Sequence, residues 1–386
     1  MSPARSTVLL AADAEGPRVE GLRRALARFG EPEARVLSYG EVLDDPRRLH
    51  EALEAPCWLR LESPGKNEAL ELALIARGRG TRSFEPPEGA LARGRLLAPA
   101  DFMTGFRTLL SDVGAALAAV PHAVATSHPD DVALFFDKGA CAERLGEAGI
   151  PVPPPLAHVG DYADLRTKMR EAGWTRVFVK LRSGSTASGI VALATRGPDV
   201  RARTTIEWVE GPAGPMRFNS RRLVETSDEA HVARLVDWLL AEGAHVERWI
   251  PKATLGGMPF DLRVVVVAGR VTHVVVRTSR GPFTNLQLGG KRASFEELRA
   301  RLGEARWTAI AETCERVAAL FPRTLHLGLD VMVPAGLEGH FVLEVNAFGD
   351  LLPGLVDASG DSTYDAEVRA LVEGRFPSQD RSPCTT

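Results

Sequence analysis

The chain has 386 residues, of which 45% are hydrophobic and 25% charged, the make-up of a soluble globular protein of two or three domains. Its net charge of −3, spread over mixed acidic and basic residues, gives no electrostatic case for a nucleic-acid or membrane partner. The four cysteines (Cys57, Cys141, Cys314, Cys384) are too scattered for a zinc site or a disulfide framework, and reduced thiols in a cytoplasm fit better.

Residues 7–11 read as a short buried strand, followed by a helix with Val19, Leu22, Leu26 and Phe29 on one face. The run before Asp13 and Glu15 is too short and polar for a signal peptide, and no stretch approaches the ~20 apolar residues of a membrane span. Residues 35–38 and 57–61 read as further strands, so the opening segment predicts a small parallel α/β domain. After the third strand, Ser63-Pro64-Gly65-Lys66-Asn67 reads either as a helix cap with Pro64 in the first turn or as an anion-binding helix start. Residues 81–100, rich in Pro, Gly and Arg, predict a connector; a helix follows over about 102–119, and another starts at Pro129. Asp137-Lys138 opens a helix that ends at Gly149, and Pro151 to Pro155 force extended chain.

Residues 176–181 predict a strand carrying Lys180, and residues 190–194 a returning strand across a small, Gly/Ser-rich tip. Polar, β-rich text runs from about 196 to 222 without a recognisable motif; Arg221-Arg222 within it reads as solvated surface. A helix near 228–242 leads to a strand at 244–250. Strands at 262–267 and 271–277 form a hairpin about Arg270, a single helix is expected over 295–320, and strands at 326–333 and 340–346 end the core.

Three constellations carry chemistry. Glu344 and Asn346 lie two apart on one strand, so they share a face, and Asp330 interrupts the apolar pattern of the strand before it. Together they offer the hard oxygen ligands that Mg²⁺ shares with substrate phosphates. Arg263 and Arg277 stand equally far from Arg270, so a symmetric register makes them cross-strand neighbours; like charges so placed call for an anion, unless each pairs with a local acid such as Asp261. Lys180 followed by the 183–189 loop fits a phosphate grip, although the P-loop spacing is absent.

Taken in order, DKGACAERLGEAGIPVPPP (137–155), FVKLRSGSTASGI (178–190), VERWIPK (246–252), FDLRVVVVAGRV (260–271), VVRTSRGPFTNLQLGGKR (275–292), GLDVMV (328–333) and VLEVNAFGDLLPGL (342–355) resemble the ATP-grasp superfamily, on its RimK and glutathione-synthetase side. The chain looks like a bacterial branch distinct from RimK proper. The resemblance implies an α/β and α+β chain: an N-terminal Rossmann-like (pre-ATP-grasp) domain over 1–120, a small lid subdomain over 121–195, and a C-terminal subdomain with the metal site over 196–386. Lys138 and Lys180 look like the lysines that hold ATP phosphates, and Gly184, Ser185, Ser188 and Gly189 like the loop that covers them. Glu247, Arg248, Trp249 and Ile250 resemble the adenine hinge, with Glu247 as the candidate ribose contact. Asp330, Glu344 and Asn346 look like ligands of Mg²⁺, with Mn²⁺ as an alternative. Arg263 and Arg277 resemble the arginines near the γ-phosphate and acyl group, and Asn285 a substrate-loop position.

The implied activity is carbon–nitrogen ligation with release of ADP, joining a carboxylate and an amine on an amino acid, small peptide or related metabolite through an acyl-phosphate. Alternatives are a ligase that modifies ribosomal peptides, an ATP-grasp kinase and a non-catalytic nucleotide-binding module. The implied partners are these small-molecule or peptide substrates, with a homodimer as the quaternary state common in the superfamily.

Overall fold

The computed structural model describes residues 5–65, 67–86, 94–184, 188–211, 214–348, 352 and 354–377. The first strands and helices are β1 (Ser6–Ala11), α1 (Pro17–Arg28), β2 (Arg35–Ser38), α2 (Tyr39–Asp44), α3 (Arg47–Ala52), β3 (Cys57–Leu61), α4 (Glu68–Gly78), α5 (Pro99–Ala119) and β4 (Ala123–Ala125). The four strands form one parallel sheet in the order β2-β1-β3-β4. Their alternation of Val, Leu and Cys buries both faces, as a helix-covered parallel sheet requires. Ser63 does not cap a helix. Its hydroxyl accepts from the Gly65 amide, while Asn67 caps α4 by accepting from Leu70 N at 2.9 Å.

Helices α6 (Pro129–Phe135) and α7 (Lys138–Glu147) lead into the middle lobe, made of α8 (Tyr162–Glu171), β5 (Arg176–Leu181), β6 (Ile190–Arg196), β7 (Asp199–Gly211), β8 (Gly214–Thr226), α9 (Glu229–Ala241) and β9 (Ala244–Arg248). Its sheet runs β8-β7-β6-β5-β9. The boundary expected at 195/196 is therefore corrected. It falls in the tight turn between β6 and β7, where Arg196 already pairs with Asp199, and the lobe continues to Arg248. The start at 121 also shifts, because Val132, Phe135, Cys141 and Leu145 of α6 and α7 join the core of the first domain rather than that of the lid.

The last lobe holds β10 (Thr254–Leu255), β11 (Met258–Val267), β12 (Arg270–Thr278), β13 (Lys291–Ala293), α10 (Phe295–Leu302), α11 (Glu304–Leu320), β14 (His326–Met332), β15 (Phe341–Asn346) and α12 (Thr363–Val372). Its sheet runs β13-β12-β11-β14-β15, with β10 beside β11. The single helix expected over 295–320 is two, because Gly303, at φ 79°, ends α10 and lets α11 restart at a new angle.

Two separate cores result. One is shared by the N-terminal sheet, α5 to α7 and the C-terminal sheet, and runs from Leu10 and Leu59 to Leu262 and Leu329. The other lies within the middle lobe, around Leu165, Val179, Leu193 and Leu239. The middle lobe is thus a body of its own, connected by the extended chain near Pro151 to Pro155 and by residues 249–253. Cys57, Cys141 and Cys314 are buried without disulfide partners, and no helix among the described residues is long and apolar enough to cross a membrane.

One close approach in the N-terminal domain has no slack. A Cβ at Gly105 of α5 would sit 1.9 Å from the Leu74 carbonyl oxygen of α4, and one at Gly78 would sit 1.9 Å from the Asp101 carbonyl oxygen. Gly105→Ala should force the two helices apart and lower stability by about 3 kcal/mol, read as a fall in the urea midpoint; an unchanged midpoint would contradict this contact.

Candidate active site

The middle lobe and the C-terminal sheet face each other across a cleft of about 500 Å³, which also takes Arg18 and Ser63 from the N-terminal domain. Each wall follows from strand periodicity. On β5, Val177, Val179 and Leu181 enter the lid core, so Phe178 and Lys180 point the other way, into the cleft. On β14 and β15, Asp330 pairs directly with Glu344, and Gly328 with Asn346, so the two acids and the amide share one face as expected. Asn346 donates its Nδ2 to the Gly328 carbonyl at 3.1 Å, which leaves Oδ1 as the atom free to act as a ligand.

The arginine pair departs from expectation. The turn of the β11–β12 hairpin is two residues, Ala268 and Gly269, both at positive φ, and a bulge between Val265 and Val266 shifts the register. Arg277 therefore faces Asp261, and Arg263 faces Val275, so the two arginines are not direct cross-strand neighbours. They still share a face and converge on one acid. Arg263 Nε donates to Asp330 Oδ1, and Arg277 Nη2 lies 3.0 Å from Asp330 Oδ2. Arg277 Nε also donates to Asp261 Oδ1 at 2.8 Å. Local acids thus pair with both arginines, the alternative that the sequence left open beside an external anion, with Asp330 added to Asp261.

The chain of charge continues. Lys252 Nζ lies 2.8 Å from Asp261 Oδ2 and 2.8 Å from Thr284 Oγ1, and Thr284 in turn donates to Asp261. Lys138 Nζ stands 3.4 Å from Glu344 Oε2 and donates to the Gly184 carbonyl. Burial raises the carboxyl pKa of Asp330, but Arg263 and Arg277 outweigh it and hold Asp330 well below the usual range. Asp261 is likewise lowered against burial, by Lys252 and Arg277.

Of the residues expected in the site, Lys138, Lys180, Gly184, Ser188, Glu247, Arg248, Ile250, Arg263, Arg277, Asn285, Asp330, Glu344 and Asn346 line the cleft. Gly189 and Trp249 do not. Gly189 sits at φ +62°, where a Cβ would meet Leu181 at 2.3 Å, so it serves the hairpin itself. Trp249 packs on Phe178 with ring centroids 5.3 Å apart. Ser185 lies outside the described residues. Asn285 spends its Oδ1 on the Gln287 amide, shaping the 3₁₀ turn Leu286–Leu288. Glu247 is unsuited to a ribose contact. It is 3% exposed, its carboxylate is bonded to Lys180, and His245 Nε2 lies 3.3 Å away.

Lys252, Asp261 and Thr284 escaped the sequence reading as site residues. One signal was present: Asp261 lies two residues before Arg263, hence on its face of the strand.

These residues fit a nucleoside triphosphate with a divalent cation. Phe178, Ile190, Met332 and Leu343 form an apolar strip at the hinge. The Arg248 and Trp249 amides are spent on Pro154 and Arg176, whereas the Ile250 amide has no acceptor among the described residues. The far end gathers cations and oxygen donors. Among the described residues no three His, Cys, Asp or Glu cluster as a self-sufficient metal site, so a cation held by Asp330, Glu344 and Asn346 would need phosphate or water to complete its shell.

Glu247 makes the ion pair measurable. Burial raises its pKa, but Lys180 and His245 together lower it to about 2. A folded pKa below the unfolded value near 4.3 adds stability that is fully present above pH ~4.5 and lost as the pH falls towards 2. Glu247→Gln should destabilise the protein by on the order of 3 kcal/mol at pH 7, and its deficit in urea midpoint should shrink between pH 5 and 3. A deficit that does not change with pH would reject the pairing.

No family model and no curated protein sequence matches the chain. Solved structures do. The D-cycloserine synthetase DcsG matches with a TM-score of 0.55 at 15% identity, over 96% of this chain and 100% of that one. The ATP-grasp ligase PsnB, complexed with minimal precursor, Mg and ADP, matches with a TM-score of 0.55 at 15% identity, over 96% and 97%. The macrocyclase MdnC from Microcystis aeruginosa, bound with precursor peptide MdnA, matches with a TM-score of 0.54 at 11% identity, over 96% and 100%. Of these, PsnB is described as an ATP-grasp ligase. At such identities the likeness speaks for the fold, and on that ground the chain has the ATP-grasp fold.

Proposed function

We propose that the protein is an ATP-dependent carboxylate–amine ligase that forms an amide, peptide-like bond through an acyl-phosphate. The observation that carries this reading is that Lys138, Lys180, Arg263 and Arg277 line one cleft together with the oxygen donors Asp330, Glu344 and Asn346. A metal-bound triphosphate and a carboxylate need such a mixture at close quarters. That the solved neighbours of the same fold are ligases supports it.

In this reading Lys138 and Lys180 hold phosphate oxygens, with Ser183, Gly184 and Ser188 beside them, and the Ile250 amide meets the adenine edge. Asp330, Glu344 and Asn346 would hold Mg²⁺, which when bound offsets the negative charge of the phosphate oxygens. A substrate carboxylate oxygen attacks the γ-phosphorus, the bond from that phosphorus to the bridging oxygen breaks, and ADP leaves. The amine nitrogen then attacks the acyl carbon, the carbon–oxygen bond to phosphate breaks, and phosphate leaves while the amine proton passes to solvent. The protein contributes position and charge; Arg263 and Arg277 stabilise the transferring group. Asp261 acts as a positioning residue, because it holds Arg277 on one side and Thr284 of the substrate loop on the other. Closing the lid lobe would keep water from the acyl-phosphate.

A screen for ADP release against panels of carboxylates and amines tests the reading. Glu344→Ala should cut ADP release at least about 100-fold in a folded protein; near-normal turnover would remove Glu344 from the metal set. Hydroxylamine in place of the amine should yield a hydroxamate, whereas a stable phosphorylated product would mean a kinase.

A further inference from the structure

The loop of residues 279–290, between β12 and β13, buries two neighbouring side chains in two different lobes. Phe283, 6% exposed, enters the lid, where it packs with Ile190 and Ala192 of β6 and with Phe178 of β5, ring centroids 5.9 Å apart. Thr284, 3% exposed, enters the floor, where its hydroxyl accepts from Lys252 Nζ at 2.8 Å and donates to Asp261. Apolar burial holds the first residue, and charge-assisted hydrogen bonds hold the second.

The peptide bond between them is planar and sets their Cα atoms about 3.8 Å apart, so one does not shift far without the other. A shift of about 1 Å takes a 2.8 Å hydrogen bond beyond bonding length. The chain after Thr284 gives little slack. Gly290 donates its amide to the Asn285 carbonyl at 3.2 Å, and a Cβ there would stand 2.7 Å from the Thr284 carbonyl oxygen. Contacts continue from both ends. Phe178 lies in the apolar strip of the cleft, with Lys180 Nζ 5.3 Å from its ring centroid. Asp261 holds Arg277 Nε at 2.8 Å, and Arg277 Nη2 stands 3.0 Å from Asp330.

We propose that Phe283 and Thr284 are positioning residues that link nucleotide occupancy of the apolar strip to the placement of Arg277. The proposal rests on the ligase reading for what fills the strip. A base against Phe178 restrains that ring, the ring restrains Phe283, and Thr284 then holds Asp261 and Arg277 within a narrower range. Restraint of one site favours order at the other, so an anion that fixes Arg277 should in turn tighten nucleotide binding.

Hydrogen exchange resolved to single amides, on the full chain with magnesium and a non-hydrolysable ATP analogue, tests the link. In the unsubstituted protein the analogue should slow the amides of residues 284–290 by about 5-fold or more. Phe283→Ala should still bind the analogue and lose this slowing, and Phe283→Leu, which keeps an apolar side chain, should restore it. Thr284→Val tests the other end, and does so even if Phe283→Ala fails to fold: the analogue should slow Gly281 and Phe283 but no longer 284–290. In turnover, Phe283→Ala should lower kcat about 10-fold with the KM for ATP little changed. Slowing of 284–290 that survives Phe283→Ala, or a loop that does not respond while the Ile250 amide does, overturns the link and leaves the ligase reading intact. A loop that responds in a protein releasing no ADP with any acceptor would sink the ligase reading and leave the link standing. An analogue that changes no amide overturns both.

Discussion

The carboxylate of Asp330, shared between Arg263 and Arg277, is the interaction on which the site depends. It lies on a strand between the buried Leu329 and Val331, where a lone ion would cost several kcal/mol. The lattice meets that cost by alternation: Lys252, Asp261, Arg277, Asp330 and Arg263 follow one another in contact, each opposite in sign to the next. Each acid is held between two cations, so removing Asp261 or Asp330 leaves buried positive charge without its partner. Together with Lys138 beside Glu344, four cations stand against three carboxylates on the floor, a modest surplus suited to a polyanion once a divalent cation is added.

The lattice also ties distant chain segments together. Thr284 and Lys252 bind the loop after β12 and the segment after β9 to Asp261, on the strand next to β14. The lid has its own core and touches the floor through few side chains. Phe283 of the substrate loop is one of them, set against Phe178 and Ile190 of the lid. An ion-paired floor and a separately packed lid suit the proposed ligase, which must admit its substrates and then exclude water.

Much of this was legible in the sequence. The strands and most helices follow from hydrophobic period, and the shared face of Glu344 and Asn346 follows from a period of two; that Asp330 joins them is set by the β14–β15 register. Lys138 and Lys180 were legible because each opens or closes an element with a strong local signature: Asp137 caps α7 by accepting from Ala140 N, and Lys180 alternates with the buried Val179 and Leu181. Register within a hairpin was not legible, because a one-residue bulge changes every partner beyond it while leaving the pattern of apolar residues intact. The separation of α10 from α11 depended on one glycine's backbone angle, and the lid boundary on which strand pairs with which.

By itself the sequence determined the elements, the side chains that break the apolar pattern, and the face on which each of them stands, because those depend only on chain neighbours two to four residues away. Tertiary structure alone decided that Arg263 and Arg277 meet over Asp330 rather than over each other, and that Lys252 and Thr284 join Asp261 in the site. Those relations join residues from separate strands and separate lobes. They are set by bulges, crossovers and packing between sheets, whose energies depend on contacts that no local stretch of sequence contains.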